Sequence, residues 1–176
     1  MVEIKDRIRD RLKPVAQIIR DAGGSIVGRT KLQKTAYLLN LAGFEDRYKF
    51  GYKHYGPFSD GLAEAAELAA AFDVITERQL RATWGGTYSV YEASGAPSDD
   101  TFRVRLARAA AGSDAVLLEL AATAAYLADE GKTRPWQETA ERKPDKAADG
   151  RLERAKGLYV GLRTASGGRL PAVGND

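Results

Sequence analysis

Three segments with helical periodicity precede two alternating segments that flank a pair of glycines, and this order limits the folds open to the chain. Apolar residues recur at spacings of three or four over residues 1–20, 29–43 and 59–72. Strand-like runs at 74–76 and 87–91 then flank Gly85 and Gly86, which is typical of a β-hairpin. Helix, helix, short strand, helix and hairpin is the order of elements in a winged helix. The sequence therefore predicts a mainly α, winged-helix-like helical domain with a small β-hairpin.

Several local signals refine this prediction. Pro14 should bend or restart the first helix because proline removes a helical hydrogen bond. The aromatic-rich residues 48–55 predict a short strand or extended segment, ended by Gly56 and Pro57. Ser59 then suits the cap of the third helix.

Helical periodicity returns in the second half of the chain. The most apolar helix should lie between residues 113 and 131, followed by a short helix with Pro135 in its first turn and a last helix after Gly150. At 176 residues the chain falls within the size range of one domain. We therefore expect one domain over residues 1–163, with additional C-terminal helices, and a flexible C-terminal tail over residues 164–176.

Composition excludes several classes of function. The chain has no cysteine and a single histidine, so disulfides, thiol catalysis and thiolate or histidine-rich metal sites are excluded. No P-loop pattern follows Gly28. No apolar run approaches the ~18 residues that would cross a bilayer, and the first residues are charged. We therefore expect no metal, no cofactor and no membrane association, and a cytoplasmic location.

Two short motifs carry a family resemblance. The run Lys31-Leu32-Gln33-Lys34, within residues 28–34, and the run Gly56-Pro57-Phe58-Ser59 resemble the Panacea or SocA-like antitoxin-associated family, including its YwgA-like relatives. Further similarity lies at residues 37–39, 50–55, 122–127 and 143–146. The resemblance covers about residues 1–163. It implies a bacterial domain of winged-helix character that acts as the antitoxin of a toxin–antitoxin pair, or as an adaptor that presents a partner to a protease. The resemblance brings no catalytic residue set.

The third helix argues against reading DNA, although the corresponding helix of a winged helix enters the major groove. Residues 59–72 contain three acidic residues and no lysine or arginine, and carboxylates would repel phosphates. An ordinary solvated face is the alternative explanation. A partner protein is the better ligand, and its candidate contacts are the acidic and aromatic residues Tyr52, His54, Phe58, Asp60, Glu64, Glu67 and Trp84.

Two of these candidates keep a second interpretation. His54 could serve as a general base, but the sequence places no serine, carboxylate or second histidine beside it, so a structural role in the turn is favoured. Trp84 would lie near the tip of the hairpin, either exposed as a contact anchor or buried as a brace.

Basic residues support the alternative function of a winged-helix DNA-binding transcriptional regulator. Residues 1–34 carry nine Lys and Arg against four Asp and Glu, whereas residues 35–76 carry three against six. In the second helix, Lys31, Lys34 and Thr35 should point mostly away from the core. The candidate nucleic-acid contacts are the cations Arg29, Lys31, Lys34, Arg78 and Arg81.

Overall fold

The computed structural model describes residues 1–174 and confirms a mainly helical chain with a small antiparallel sheet. Eight helices and five strands lie within these residues. The helices are α1 Val2–Asp21, α2 Arg29–Leu41, α3 Asp60–Ala71, α4 Thr101–Ala111, α5 Ala115–Asp129, α6 Pro135–Arg142, α7 Pro144–Ala147 and α8 Arg151–Ala165. The strands are β1 Ser25–Val27, β2 Gly51–Lys53, β3 Gly56–Phe58, β4 Thr76–Arg81 and β5 Thr87–Glu92.

The expected hairpin forms the larger sheet, but its first strand covers Thr76–Arg81 and not the predicted residues 74–76, and the sheet has one further strand that the sequence did not predict. β4 and β5 pair antiparallel, with Arg81 opposite Thr87. β1 adds to the other side of β5, with Val27 opposite Val90, so the strand order is β1-β5-β4. Three residues between Gly24 and Gly28 are too few to show alternation, which is why periodicity missed β1.

The aromatic segment before α3 forms a second hairpin instead of one strand. β2 and β3 pair antiparallel around a two-residue turn at His54 and Tyr55. The expectation that Gly56 and Pro57 end the extended segment is wrong, because both belong to β3 and Pro57 lies opposite Tyr52. Proline is tolerated here because a strand in a two-stranded sheet keeps one free edge.

The first and third helices begin and end close to their predicted positions. α1 continues through Pro14 without a restart. Residues 2–11 of this helix are exposed apart from the partly buried Ile8, and burial begins at Leu12. Ser59 caps α3 as predicted, since its hydroxyl oxygen accepts a hydrogen bond from the backbone N–H of Leu62 at 3.2 Å.

A single hydrophobic cluster extends from Leu12 in α1 to Leu170, with α5 at its centre. Residues 118–125 of α5 are all buried, and this helix packs against α2, α6 and α8. None of the helices in residues 1–174 has an apolar stretch long enough to span a membrane.

The first part of the expected C-terminal tail is packed on the domain. Leu170 is fully buried, the hydroxyl of Tyr159 donates to the carbonyl of Pro171 at 2.6 Å, and Arg163 donates to the carbonyl of Leu170 at 3.0 Å. The expectation of a flexible tail from residue 164 is therefore wrong up to Pro171, because an apolar anchor holds the segment. The end of the predicted tail, residues 175–176, lies outside the described residues.

Candidate partner-binding site

The two sequence motifs meet in the structure. The side-chain amide of Gln33 in α2 donates to the carbonyl of Ser59 at 3.0 Å and accepts from the backbone N–H of Ser59 at 2.8 Å. The next residue, Lys34, donates from its ammonium to the carbonyl of Pro57 at 2.8 Å. These bonds provide partners for the carbonyl of Pro57 and the N–H of Ser59, and add a second donor to the carbonyl of Ser59, which also accepts from Ala63. The motifs thus fix the hairpin, and with it the start of α3, on α2.

Lys34 belongs to a buried charge cluster that the sequence did not predict. Its side chain is fully buried, and so is Glu119 of α5, whose carboxylate lies 3.7 Å from the ammonium of Lys143 and 2.5 Å from that of Lys146. Burial lowers the pKa of Lys34 to about 8, although attraction to Glu119 opposes the shift. Burial likewise lowers the pKa of Lys143. The cluster joins α2, α5 and α7 beneath the hairpin.

Two sequence predictions about α2 are therefore wrong. Residues 32–39 are all buried, so Lys34 and Thr35 do not point away from the core. Because α2 lies between α4, α5 and the hairpin, burial is not confined to one helical face. Lys34 cannot contact a phosphate from this position, which removes it from the candidate nucleic-acid residues.

The aromatic residues of the β2–β3 hairpin are held mainly by neighbouring side chains. Tyr52 packs against Tyr126 with ring centroids 5.8 Å apart, and the Arg142 guanidinium lies 4.7 Å from its ring. Phe58 is half-buried beneath the Lys53 ammonium, 4.6 Å from the ring centre. His54 is exposed in the turn, and its backbone carbonyl accepts from Lys143 at 2.8 Å. This contact is made by the main chain of His54 and does not involve its imidazole.

The acidic residues of α3 face solvent. Asp60, Glu64 and Glu67 are all exposed. Asp60 pairs with Lys53 at 2.6 Å, whereas no ion pair joins Glu64 or Glu67 to any residue in the described part of the chain. The outer side of α3 consequently presents two uncompensated carboxylates.

The β4–β5 hairpin carries an exposed aromatic tip. Trp84 is 76% exposed, with its ring against Gly86, and so lies at the surface and not in the core. Trp84 lines a surface groove with Val27, Tyr88 and Arg81, and Val27 is also largely exposed. This position favours the contact-anchor interpretation of Trp84.

The remaining basic candidates come from two elements, α2 and β4. Arg78 forms a 2.5 Å ion pair with Glu92, Arg81 is exposed at the end of β4, and Arg29 is exposed 3.9 Å from Glu77. Lys31 is partly buried in the first turn of α2. Arg29 and Arg81 line different pockets.

The structure brings only some of the predicted site residues together. Phe58, Glu67 and Arg29 line one pocket, whereas Asp60 and Tyr52 pair with other residues and Trp84 lies in a separate groove. The pocket also contains residues that sequence analysis missed, including Tyr55, Glu77 and Tyr91. Glu77 and Tyr91 lie opposite each other in the β4–β5 pairing. A correct strand register would have placed both residues on one face of the hairpin, but it would not have shown that this face lies next to α3.

Comparison of the chain with protein-family models, with curated proteins and with solved structures finds no match. The resemblance to the antitoxin-associated family remains a prediction. Within residues 1–174, no group of three or more His, Cys, Asp or Glu residues is arranged to hold a metal ion.

Proposed function

We propose that this protein is a winged-helix-like domain that binds a partner protein, as an antitoxin or as an adaptor that presents its partner to a protease. The order of elements supports the winged-helix assignment. α1, β1, α2 and α3 precede the β4–β5 hairpin, and β1 completes the sheet beside β5. Under this assignment α3 corresponds to the helix that enters a DNA groove in winged-helix domains.

The observation that carries the proposal is the charge of α3. Its exposed residues include Glu64 and Glu67 without any ion-pair partner among residues 1–174, and its sequence contains no lysine or arginine. Duplex DNA binding depends on cations that neutralise phosphates, so this face suits a basic protein surface instead.

The β4–β5 hairpin offers a second contact surface. Tryptophan is enriched among the residues that contribute most binding energy at protein interfaces. Trp84 at 76% exposure, together with the exposed Val27, gives the hairpin tip apolar area that is available to a partner. The proposed partner therefore contacts an acidic helix and an aromatic hairpin tip.

The alternative of a DNA-binding regulator has weaker support. Lys34 is buried, and the guanidinium of Arg78 is already paired with Glu92. Arg29, Lys31 and Arg81 remain as candidate phosphate contacts, and they do not lie on α3.

Co-expression with the products of the neighbouring genes tests the proposal. We expect one product to co-purify with this protein, and to be less toxic or more rapidly degraded in its presence. Replacing Glu64 and Glu67 together by lysine should abolish co-purification because two attractive charges become repulsive. The matched control replaces Glu130 and Glu141 by lysine. These carboxylates are exposed but lie outside α3, so this variant should bind as the unchanged protein does. A complex that tolerates the α3 reversal, or no complex at all, contradicts the proposal.

A further inference from the structure

A pocket of about 260 Å³ opens beside the acidic side of α3. Its apolar lining includes Leu32 of α2, Ala66 of α3 and Tyr91 of β5, each almost completely buried. Tyr55, Phe58 and Ala63 also line it, and Tyr55 is 57% exposed. The pocket is thus an apolar depression reachable from the surface that carries Glu64 and Glu67.

The size of this pocket limits what it can hold. A cavity of roughly 150 Å³ accepts benzene, whereas sites for drug-sized ligands and cofactors occupy roughly 300 to 1,000 Å³. At about 260 Å³, the pocket lies between these classes. It therefore fits a single large side chain better than a nucleotide or a cofactor.

The charges at the pocket favour a basic neighbour for that side chain. Glu67 is exposed and unpaired within the described residues, and Glu77 accepts a 2.7 Å hydrogen bond from the hydroxyl of Ser89. Arg29 lies 3.9 Å from Glu77 and compensates only one of these carboxylates. The fourth charged lining residue, Lys34, directs its ammonium to the carbonyl of Pro57. Glu67 is thus the lining carboxylate that no ion pair compensates within residues 1–174, although the four charged lining residues together carry no net charge.

We propose that this pocket receives one aromatic or large aliphatic side chain from a basic segment of the partner protein. The inference rests on the proposed function and adds to it the chemistry of the contact. The inserted side chain would bury apolar area against Leu32, Ala66 and Tyr91, while flanking lysines or arginines would lie near Glu67 and Glu64.

Titration of the full chain with short synthetic peptides, followed by NMR of its backbone amides, tests the inference without the natural partner. The first peptide has a central phenylalanine flanked by lysines and arginines. The second has alanine at the centre, and the third keeps phenylalanine but has acidic flanks. We expect the first peptide to shift the amides of Ala63, Ala66 and Glu67, and to bind about tenfold or more tightly than either of the others.

A pair of substitutions in α3 links these shifts to the pocket. Ala63→Leu places extra side-chain volume in the pocket and should weaken binding of the phenylalanine peptide about tenfold or more. Ala71→Leu makes the same change at an exposed position of α3 outside the pocket and should leave binding unchanged. Equal binding of the phenylalanine and alanine peptides, or shifts confined to another surface, would overturn the inference.

The same variants separate this inference from the proposed function. If a neighbouring gene product forms a complex that needs Glu64 and Glu67 but tolerates Ala63→Leu, the pocket inference is overturned and the function stands. If the phenylalanine peptide binds in the pocket but no protein complex forms, the pocket inference is supported and the proposed function is contradicted.

Discussion

At Gly56, the hairpin backbone passes so close to α5 that no side chain fits. Gly56 has a φ of +89°, and a Cβ atom placed there would lie 2.4 Å from the hydroxyl oxygen of Thr123. We expect Gly56→Ala to lower the free energy of unfolding by about 2 to 4 kcal/mol, because backbone strain and a buried clash add together. Urea unfolding measures this loss. Gly51→Ala, on the opposing strand with open space around its Cβ position, should change stability by less than about 1 kcal/mol.

Thr123 provides the test of the cause. Its hydroxyl is buried without a hydrogen-bond partner among the described residues, so Thr123→Ala removes the clashing atom without breaking a bond. When Thr123→Ala is already present, Gly56→Ala should lower the free energy of unfolding by about 1 kcal/mol or more less than it does alone. Part of the effect should persist because the positive φ remains. Simple addition of the two single effects would contradict this account.

The buried ammonium of Lys34 should make stability rise with pH in the alkaline range. The pKa of Lys34 is about 8 in the folded state, below its ordinary value of 10.5. Between these values the unfolded chain binds the proton more strongly, so raising the pH favours folding. Relative to Lys34→Met, the free energy of unfolding should increase by about 1 to 2 kcal/mol between about pH 7.5 and 9.5.

Buried tyrosines affect stability at a higher pH than Lys34 does. Burial raises the pKa of Tyr37 and of Tyr48, the latter to about 12, so ionisation of these residues in the unfolded chain lowers stability only near and above pH 10. Urea unfolding at several pH values below that point isolates the lysine. If the difference in free energy of unfolding between the unchanged protein and Lys34→Met does not vary with pH, the pKa of Lys34 is not lowered in the folded state.

At the scale of elements, Asp21 connects the end of α1 to α4 and to the loop between β5 and α4. Its fully buried carboxylate accepts from the backbone N–H and hydroxyl of Ser98 at 2.6 and 2.8 Å, and from Arg103 at 2.6 Å. Arg103 also donates to the carbonyl of Phe44. Burial acts to raise the pKa of Asp21, but the hydrogen bonds outweigh it and hold the pKa below its usual value.

Replacing Asp21 should therefore weaken several contacts at once. We expect Asp21→Ala to lower the free energy of unfolding by about 3 to 5 kcal/mol, because Arg103 loses the nearer of its two buried carboxylate partners and Ser98 loses its acceptor. Asp10→Ala, in the same helix but exposed and paired only with Lys13, should cost no more than about 1 kcal/mol. Because the folded pKa is depressed, the Asp21 contribution is present at neutral pH and declines as the pH falls through that pKa. Similar losses for the two variants in urea unfolding would contradict the assigned role.

Periodicity predicted the elements whose residues repeat often enough to show a pattern. The long helices and β5 are of this kind, and Ser59 marked the start of α3, whereas β4 lies mostly after the strand predicted at residues 74–76. The β2–β3 hairpin and the burial of Lys34 escaped prediction because they depend on α5. Glu119 balances Lys34, and Thr123 lies beneath Gly56, so neither feature is encoded by local spacing.

At the scale of the whole molecule, the candidate site was predictable in its charge but not in its shape. The acidic face of α3 follows from residues 59–72 alone, and the exposed position of Trp84 agrees with one of its two expected roles. The pocket beside Glu67 required the tertiary packing of α2, α3 and both hairpins. A single sequence cannot supply that arrangement because the lining residues come from four separate segments.

The distribution of charge over the molecule gives a last prediction about duplex DNA. The net charge is only +3, the outer side of α3 is acidic, and the basic N-terminal part of α1 alternates arginines with Asp6 and Asp10. We expect weak, sequence-independent retardation of a duplex in a gel at low salt and none near about 0.15 M salt, because few cations can neutralise phosphates together. Arg81→Ala, at the end of β4, should not change this result, since one exposed arginine contributes only one phosphate contact. A complex that persists at the higher salt, and that Arg81→Ala abolishes, would instead favour the DNA-binding regulator. Such a result requires that the hairpin contacts the phosphate backbone through Arg81.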